Sequence, residues 1–237
     1  VHGSRLETFA VPGARTFDAH ARFMESRAGE WGVATDAAVY RAPRPGNGPS
    51  RAVALGPEDG PAPPGAFGRI VEDDAGRVWF GGAGGGLYRY DRARRPPLEQ
   101  LVPSRGPLAG GARVILCEGE EAWVADYVRL SRWTRAGLLP VSPPLDHALN
   151  PRALVRDAKG RLWIGTRFDG VLIADGLGTP RPAWSTLDTR NGLPSDAVWS
   201  IAAAPDGAMY LGTGHGLARV DPRDRSIKVY GPDEGRA

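Results

Sequence analysis

Short apolar runs recur along the whole chain and are separated by turns that contain glycine or proline. The run at 197–202, for example, leads through Pro205-Asp206-Gly207 into a second run at 208–213. Glycine at the last position of such a turn supplies the positive φ that a tight hairpin needs. No segment of the sequence has the 3.6-residue period of an amphipathic helix. The pattern therefore predicts an all-β chain of short antiparallel strands.

An aromatic residue in one strand of each predicted unit marks an internal repeat. Two segments match closely, at 76–82 and 160–166, and a third at 207–213 has tyrosine in place of tryptophan. Weaker copies lie at 30–35 and 122–126. The five aromatic anchors are Trp31, Trp79, Trp123, Trp163 and Tyr210. They are about 40 to 48 residues apart, which is the blade period of β-propellers. We expect these rings to be buried, because one large ring per blade fills the wedge between neighbouring sheets.

Four strands can be assigned to each unit, since one strand precedes the anchor strand and two follow it. Five such units predict a β-propeller of four-stranded antiparallel blades, with five repeats in this chain. The blades are placed at approximately 15–56, 66–103, 112–142, 152–188 and 196–231, with an extra outer strand at 5–9. Residues 1–237 are interpreted either as a single propeller domain or as a fragment of a larger propeller.

The charge and composition of the chain exclude several classes of function. The formal net charge is only +3 and the basic residues are scattered, which argues against nucleic-acid binding. The single cysteine, Cys117, lies in an apolar run, so we expect a buried, unreactive thiol. No apolar stretch approaches the roughly 18 residues of a membrane span. The four histidines lack the spacing of zinc ligands, and we predict neither a metal nor a cofactor.

The fifth unit carries the fullest version of the repeat. Residues 191–201 read Asn-Gly-Leu-Pro-Ser-Asp-Ala-Val-Trp-Ser-Ile, followed by Asp206-Gly207, Leu211-Gly212-Thr213 and Gly216-Leu217. This order resembles the two-component regulator propeller repeats found in periplasmic sensor regions of bacterial hybrid histidine kinases and related regulators. The resemblance extends over essentially the whole chain and implies a sensor propeller outside the cytoplasm. Members of that family usually have more blades, so we expect further blades in a longer parent chain, or a homo-oligomer.

Candidate binding residues lie in two kinds of loop that reach the same face of a propeller. These are the turn between the second and third strands of a blade and the connection from the fourth strand to the next blade. The candidates are Asp36, Asp126, Tyr127, Arg167, Phe168, Asp169, Asn191 and His215. An arginine beside aromatic rings can hold an anionic or planar group. The predicted partner on this face is a small molecule, a glycan or a protein.

The leading interpretation is a non-catalytic sensory or binding propeller, because no carboxylate of the loops belongs to a recognisable acid–base pair. One alternative is a hydrolase or lyase that acts on a glycan or a cyclic peptide. Asp36, Asp126 and Asp169 could imitate the spaced carboxylates of a glycosidase. The resemblance to propeller lyases, which use a histidine, makes His215 the candidate for a lyase reaction. A second alternative is an assembly scaffold that works through exposed blade edges.

Overall fold

The computed structural model describes residues 22–27, 31–34, 39–42, 53–55, 57–60, 66–82, 84–179 and 181–231. The strand predicted at 5–9 and the candidate Asp36 lie outside the described residues. The strands are β1 (Arg22–Glu25), β2 (Trp31–Ala34), β3 (Val39–Ala42), β4 (Val53–Ala54), β5 (Ala66–Glu72), β6 (Val78–Gly82), β7 (Leu87–Tyr90), β8 (Leu98–Val102), β9 (Val114–Glu118), β10 (Glu121–Ala125), β11 (Leu130–Thr134), β12 (Gly137–Val141), β13 (Pro151–Arg156), β14 (Leu162–Thr166), β15 (Val171–Asp175), β16 (Ala183–Leu187), β17 (Val198–Ala203), β18 (Met209–Thr213), β19 (Gly216–Val220) and β20 (Ile227–Tyr230). Short 3-10 helices span Pro57–Asp59 and Thr189–Asn191.

The strands form four-stranded sheets in which strands that are consecutive in the chain lie side by side. The sheets are β1–β4, β5–β8, β9–β12, β13–β16 and β17–β20, which we call blades 1 to 5. The strands that precede and follow each anchor strand pair with it, as the sequence repeat requires. The predicted all-β propeller of four-stranded antiparallel blades is therefore confirmed.

The chain divides into two compact units, and the division runs through blade 3. The first unit comprises residues 1–122 and 133–138, and the second comprises residues 123–132 and 139–237. In the first unit, the Trp79 and Trp133 rings meet edge to face with centroids 5.2 Å apart. The Arg89 guanidinium lies 5.1 Å from the Trp79 centroid and 5.5 Å from that of Trp133, so aromatic and cation–π contacts pack this core together.

The core of the second unit lies between blades 4 and 5. Buried side chains from both blades form one cluster: Ala153, Trp163, Val171, Ile173, Leu187, Leu193, Val198, Ile201, Met209, Leu211, Ala218 and Val220. The anchor strand of blade 4 has glycine at position 165, where a Cβ atom would lie 3.1 Å from Val198 Cγ1. The absence of a side chain at Gly165 therefore lets the first strand of blade 5 approach the sheet of blade 4.

A buried aspartate in the turn before the anchor strand organises blade 4. Asp157 Oδ1 accepts hydrogen bonds from the backbone N–H groups of Lys159 and Arg161 and so shapes the turn. Its Oδ2 accepts from Arg161 Nε at 2.7 Å and from Trp163 Nε1 at 2.9 Å. Burial alone would raise the pKa of Asp157, but the hydrogen bonds from Trp163 and Arg161 outweigh it and hold that pKa below its usual value. We call this arrangement the Asp–Arg–Trp triad.

Blade 2 has the same triad at the same positions. Asp73 Oδ2 accepts from Arg77 Nε at 2.7 Å and from Trp79 Nε1 at 2.8 Å. The arginine also reaches the next blade, because Arg77 Nη1 donates to Glu120 Oε1 at 2.6 Å. In blade 4, Arg161 Nη2 donates in the same way to the carbonyl oxygen of Pro222 in blade 5. The triad therefore fixes the anchor ring within its blade and joins that blade to the following one.

Blade 5 lacks the triad, because all three of its members are replaced together. The corresponding residues are Ala204, Ala208 and Tyr210. Trp79, Trp123 and Trp163 are fully buried, as expected, whereas Tyr210 is only partly buried. The expectation of a buried ring is therefore wrong for Tyr210, which is only partly buried. The side chain of Trp31 lies outside the described part of the chain.

Candidate functional site

Backbone hydrogen bonds connect the loops of blades 3 and 4 at one end of the second unit. The amide of Asn150, in the connection that leads into blade 4, donates to the carbonyl oxygen of Tyr127 at 2.8 Å. The carbonyl oxygen of Asn150 in turn accepts from the amide of Arg167 at 3.1 Å. Asn150 has a positive φ of 45°, a conformation that asparagine adopts more readily than most residues. This one residue therefore holds two predicted site residues next to each other.

The loops of blade 5 continue the same hydrogen-bonded series. The amide of Gly170 donates to the carbonyl oxygen of Asp196 at 2.9 Å, and the amide of Gly214 donates to that of Ala197 at 2.9 Å. Gly170 needs its positive φ of 66°, and a Cβ there would lie 2.2 Å from the Leu187 carbonyl oxygen. We use the word rim for the turns 126–129, 167–170 and 214–215 and the connections 146–150 and 188–197 together. The rim brings the predicted loop residues of three successive blades to one end of the unit.

Five of the predicted residues are exposed: Tyr127, Arg167, Phe168, Asn191 and His215. Tyr127 is 45% exposed and Phe168 is 57% exposed. The Arg167 guanidinium lies 5.1 Å from the centroid of the Phe168 ring, which gives the cation–aromatic pair that the sequence suggested. The backbone N–H of His215 donates to Thr213 Oγ1 at 3.2 Å, and His215 is exposed to solvent.

Two of the predicted residues shape their own loops. Asp126 is 7% exposed, and its Oδ1 accepts from the amides of Val128 and Arg129 at 2.8 and 2.7 Å. Asn191 ends a 3-10 helix, and its Oδ1 accepts from the amide of Asp188 at 3.1 Å. Both side chains therefore have a role in turn formation. A direct role of either in ligand binding stays a prediction.

Asp169 is paired with His147, which the sequence places in a loop of the same face but does not link to Asp169. Its Oδ1 lies 3.2 Å from His147 Nε2, in the connection that leads into blade 4. Burial raises the pKa of Asp169, and the nearby carboxylates of Asp196 and Asp146 raise it further, while His147 opposes this rise. A hydrogen bond to the Ala148 carbonyl and the charge of Asp169 raise the pKa of His147. These groups form a second polar cluster on the rim, beside the Arg167–Phe168 pair.

Arg152 and Trp199 are further rim-proximal residues that the pattern of the sequence did not single out. Pairing in blade 4 shifts between Pro151 and Ala153, which leaves Arg152 as the extra residue of a β-bulge. Pairing in blade 5 shifts in the same way at Trp199, between residues 198 and 200. Bulges redirect side chains and are enriched next to binding sites. The Arg152 guanidinium lies 5.2 Å from the centroid of the Trp199 ring, which is 50% exposed. In the sequence, the signal for this contact was Trp199, a tryptophan that lies outside the anchor position of its repeat.

The titratable groups of the rim and the cysteine are engaged by their own surroundings. His147 Nδ1 lies 3.2 Å from the carbonyl oxygen of Ala148, so both of its ring nitrogens are occupied by acceptors. A general base needs a free nitrogen within reach of the proton that it removes. Cys117 is not a candidate nucleophile, because burial raises the pKa of its thiol to about 12. No group of three His, Cys, Asp or Glu residues within the described ranges is arranged to hold a metal ion.

Comparison with known proteins supports the family resemblance. Residues 147–168 match the family model described as two component regulator propeller. The matched segment begins at His147 and covers the first two strands of blade 4, with part of the rim at each end. The chain therefore contains a two-component regulator propeller repeat, which confirms the resemblance expected from its sequence. A search of curated proteins found no significant match.

Solved structures share the fold at low sequence identity. The extracellular domain of the hybrid two component system BT3049 from B. thetaiotaomicron has a TM-score of 0.69 and 20% identity, over 92% of this chain and 29% of that one. The corresponding domain of BT4673 from the same organism has a TM-score of 0.67 and 17% identity, over 87% and 28%. Virginiamycin B lyase from Staphylococcus aureus has a TM-score of 0.70 and 14% identity, over 94% and 73%. The chain spans less than a third of the length of the two-component structures.

In the described part of the chain, no helix has the length and apolar character needed to cross a membrane.

Proposed function

We propose that this chain is a non-catalytic binding segment of a sensory propeller, located outside the cytoplasm in a bacterial signalling protein. The rim is its ligand or partner site. The observation that carries the proposal is a pair of arginine–aromatic contacts: Arg167 with Phe168 in the rim, and Arg152 with Trp199 on the bulges that directly follow two of its connections. The two-component regulator repeat at 147–168 supports the sensory role, because the matched segment includes part of this rim at each end.

The site fits a ligand with a flat or apolar face and an anionic or strongly polar edge. Phe168 is 57% exposed and Trp199 is 50% exposed, so both residues are accessible for aromatic contact with a ligand. Arg167 presents a guanidinium beside one of these rings and can form paired hydrogen bonds with a carboxylate or a similar group. Convergent polar groups over exposed aromatic surface are the usual composition of a ligand site.

An enzymatic role has less support from the rim. The carboxylate of Asp126 is used in its own turn, and that of Asp169 is paired with His147. His215, the candidate for lyase chemistry, takes part in no ion pair within the described residues. The similarity to virginiamycin B lyase concerns the fold, at 14% identity. Turnover of a glycan or a cyclic peptide by the parent chain would contradict the binding role and favour the alternative.

The test is a binding screen followed by one substitution in the rim. Ligands are sought by thermal shift in a panel of oligosaccharides, aromatic carboxylates and short peptides, and each hit is measured by calorimetry. We expect Arg167→Ala to weaken binding of the hit by about tenfold or more, the loss of a charge-assisted contact. Its melting temperature should stay within about 1 °C of the parent, since the arginine is exposed and lies in a turn.

Arg181→Ala is the matched control, because Arg181 is also exposed but lies in the turn before β16, outside the rim. It should leave both binding and stability unchanged. A hit that binds Arg167→Ala as tightly as the parent would show that the rim around Arg167 is not the binding site.

A further inference from the structure

We propose that His147 and Asp169 form a proton-dependent link between two loops of the rim, which we call the latch. While the pair holds its extra proton, the link keeps these loops ordered. When that proton is lost, the link weakens and the loops become less ordered. This inference concerns the regulation of the site and so rests on the proposed function for its biological meaning. The latch itself is a property of the loops, and it can be tested without any ligand.

The first argument is the hydrogen-bonding geometry of the imidazole. Nδ1 lies 3.2 Å from the carbonyl oxygen of Ala148, which can only accept a hydrogen bond. Nε2 lies 3.2 Å from Asp169 Oδ1, and an ionised carboxylate also only accepts. A neutral imidazole has one N–H and can satisfy only one of them. Both contacts are satisfied together only when the pair holds one proton more than a neutral histidine and a free carboxylate.

The second argument is the dependence of Asp169 on this partner. Asp169 Oδ2 is buried and has no hydrogen-bond partner in the described part of the chain. The other charged groups near the pair are the carboxylates of Asp146, 3.9 Å from His147 Nε2, and Asp196, which acts on Asp169 from the next connection. Asp196 also accepts from Thr189 and interacts with the charge of Arg190. Without the imidazolium, Asp169 would be a poorly compensated carboxylate among like charges, which is unfavourable.

The third argument is the position of the pair between the loops. His147 lies in the same short connection as Asn150, whose backbone holds the carbonyl of Tyr127 and the amide of Arg167. Asp169 lies in the turn that contains Arg167 and Phe168 and whose Gly170 amide is bonded to Asp196. The His147–Asp169 contact is therefore a side-chain link across the same two loops that Asn150 joins through the backbone. Loss of that link should weaken the order of both loops.

The direction of the pH effect follows from the raised pKa of His147. A group whose pKa is higher in the folded chain than in the unfolded chain contributes its full stabilisation below the unfolded value, which is about 6.5 for histidine. That stabilisation is lost as the pH rises through the folded value. The raised pKa of Asp169 acts in the same direction. The rim should therefore be ordered in mildly acidic solution and looser in alkaline solution.

The experiment is NMR of the full chain between about pH 5 and pH 9. The titration midpoint of His147 is followed through its ring resonances, and hydrogen exchange of the Arg167 amide is followed after correction for the intrinsic rate. We expect the midpoint to lie above that of the same histidine in the urea-unfolded chain. We expect the corrected exchange rate of Arg167 to rise about tenfold across this titration. In His147→Gln the rate should be high and independent of pH.

Two aspartate variants separate the latch from general electrostatics. Asp169→Asn should lower the midpoint of His147 and abolish the pH dependence of Arg167 exchange. The matched control is Asp146→Asn, which removes a nearly fully exposed carboxylate of the same connection that only approaches the ring. It should change both quantities little. Arg167 exchange that stays constant while His147 titrates would overturn the latch, whatever the outcome of the ligand screen. A pH-dependent rim with no ligand found would retain the latch and leave only the proposed function in doubt.

Discussion

Replacement of Trp163 by alanine is expected to lower the free energy of unfolding of the second unit by about 3–5 kcal/mol, the usual cost of truncating a buried large aromatic residue. Trp163 is 1% exposed and packs in the cluster that joins blades 4 and 5. Its removal leaves a cavity between two sheets and leaves Asp157 without one of its donors. Chemical denaturation, with the fluorescence and far-ultraviolet signals fitted together, measures the effect. Trp79→Ala should behave similarly in the first unit, because its ring is also fully buried and also donates a hydrogen bond to the aspartate of its triad.

The control for this substitution is Trp199→Ala, which removes the same side chain from the same unit. Trp199 is 50% exposed and lies on a bulge outside the cluster. We expect it to cost about 1 kcal/mol or less, as for other surface substitutions. If Trp163→Ala unfolded at the same denaturant concentration as the parent chain, the anchor rings would not be the wedges between blades. The assignment of the repeat register would then be wrong.

Replacement of Asp157 by alanine is expected to have an effect of similar size, for an electrostatic reason. The change leaves the Arg161 guanidinium and the Trp163 indole N–H without their shared acceptor in a largely buried site. Removal of one partner of a buried ion pair typically costs about 3–5 kcal/mol. The backbone of the turn at 157–161 also loses the acceptor for two amides.

The same variant should differ from the parent in its pH dependence. The pKa of Asp157 is lowered by folding, so its stabilisation is present above the unfolded value of about 3.9 and is lost as the pH falls through the folded value. The difference in unfolding free energy between parent and variant should therefore be greatest near neutral pH and should shrink in acid. Urea unfolding over this pH range measures it.

Asp206→Ala provides the comparison for Asp157→Ala. Asp206 lies in the corresponding turn of blade 5, where its half-exposed carboxylate pairs with Arg219 at 2.9 Å. An exposed pair of this kind contributes little to stability, because solvent screens it. Equal destabilisation by the two substitutions would contradict the special role of the triad and indicate that either turn needs its aspartate only for local geometry.

The sequence by itself determined the fold of this protein. Its aromatic anchors recur at the period of a propeller blade, and the turns between the strands contain glycine where a positive φ is required. Both signals come from residues that are close together in the chain, so they can be recognised in the sequence without knowing how the blades pack. The triad was also present as a repeated Asp-x-x-Gly-Arg-x-Trp pattern at 73–79 and 157–163. Its members are close in the chain, but their shared hydrogen bonds are visible only when the hairpin is folded.

Only the tertiary structure decided how the rim is composed. His147 and Asp169 are 22 positions apart in the chain. They meet because the connection from blade 3 to blade 4 runs beside the turn of blade 4 that contains Asp169. Arg152 and Trp199 meet because a bulge redirects each of them, and the extra residue of each bulge is identified by the pairing of the strands. The position of Asp126 in the sequence, directly after a strand, suggested an accessible side chain. In the structure its carboxylate is buried and accepts hydrogen bonds from the amides of its own turn. Strand pattern depends on neighbours in sequence, whereas the site depends on the geometry with which separate blades pack together.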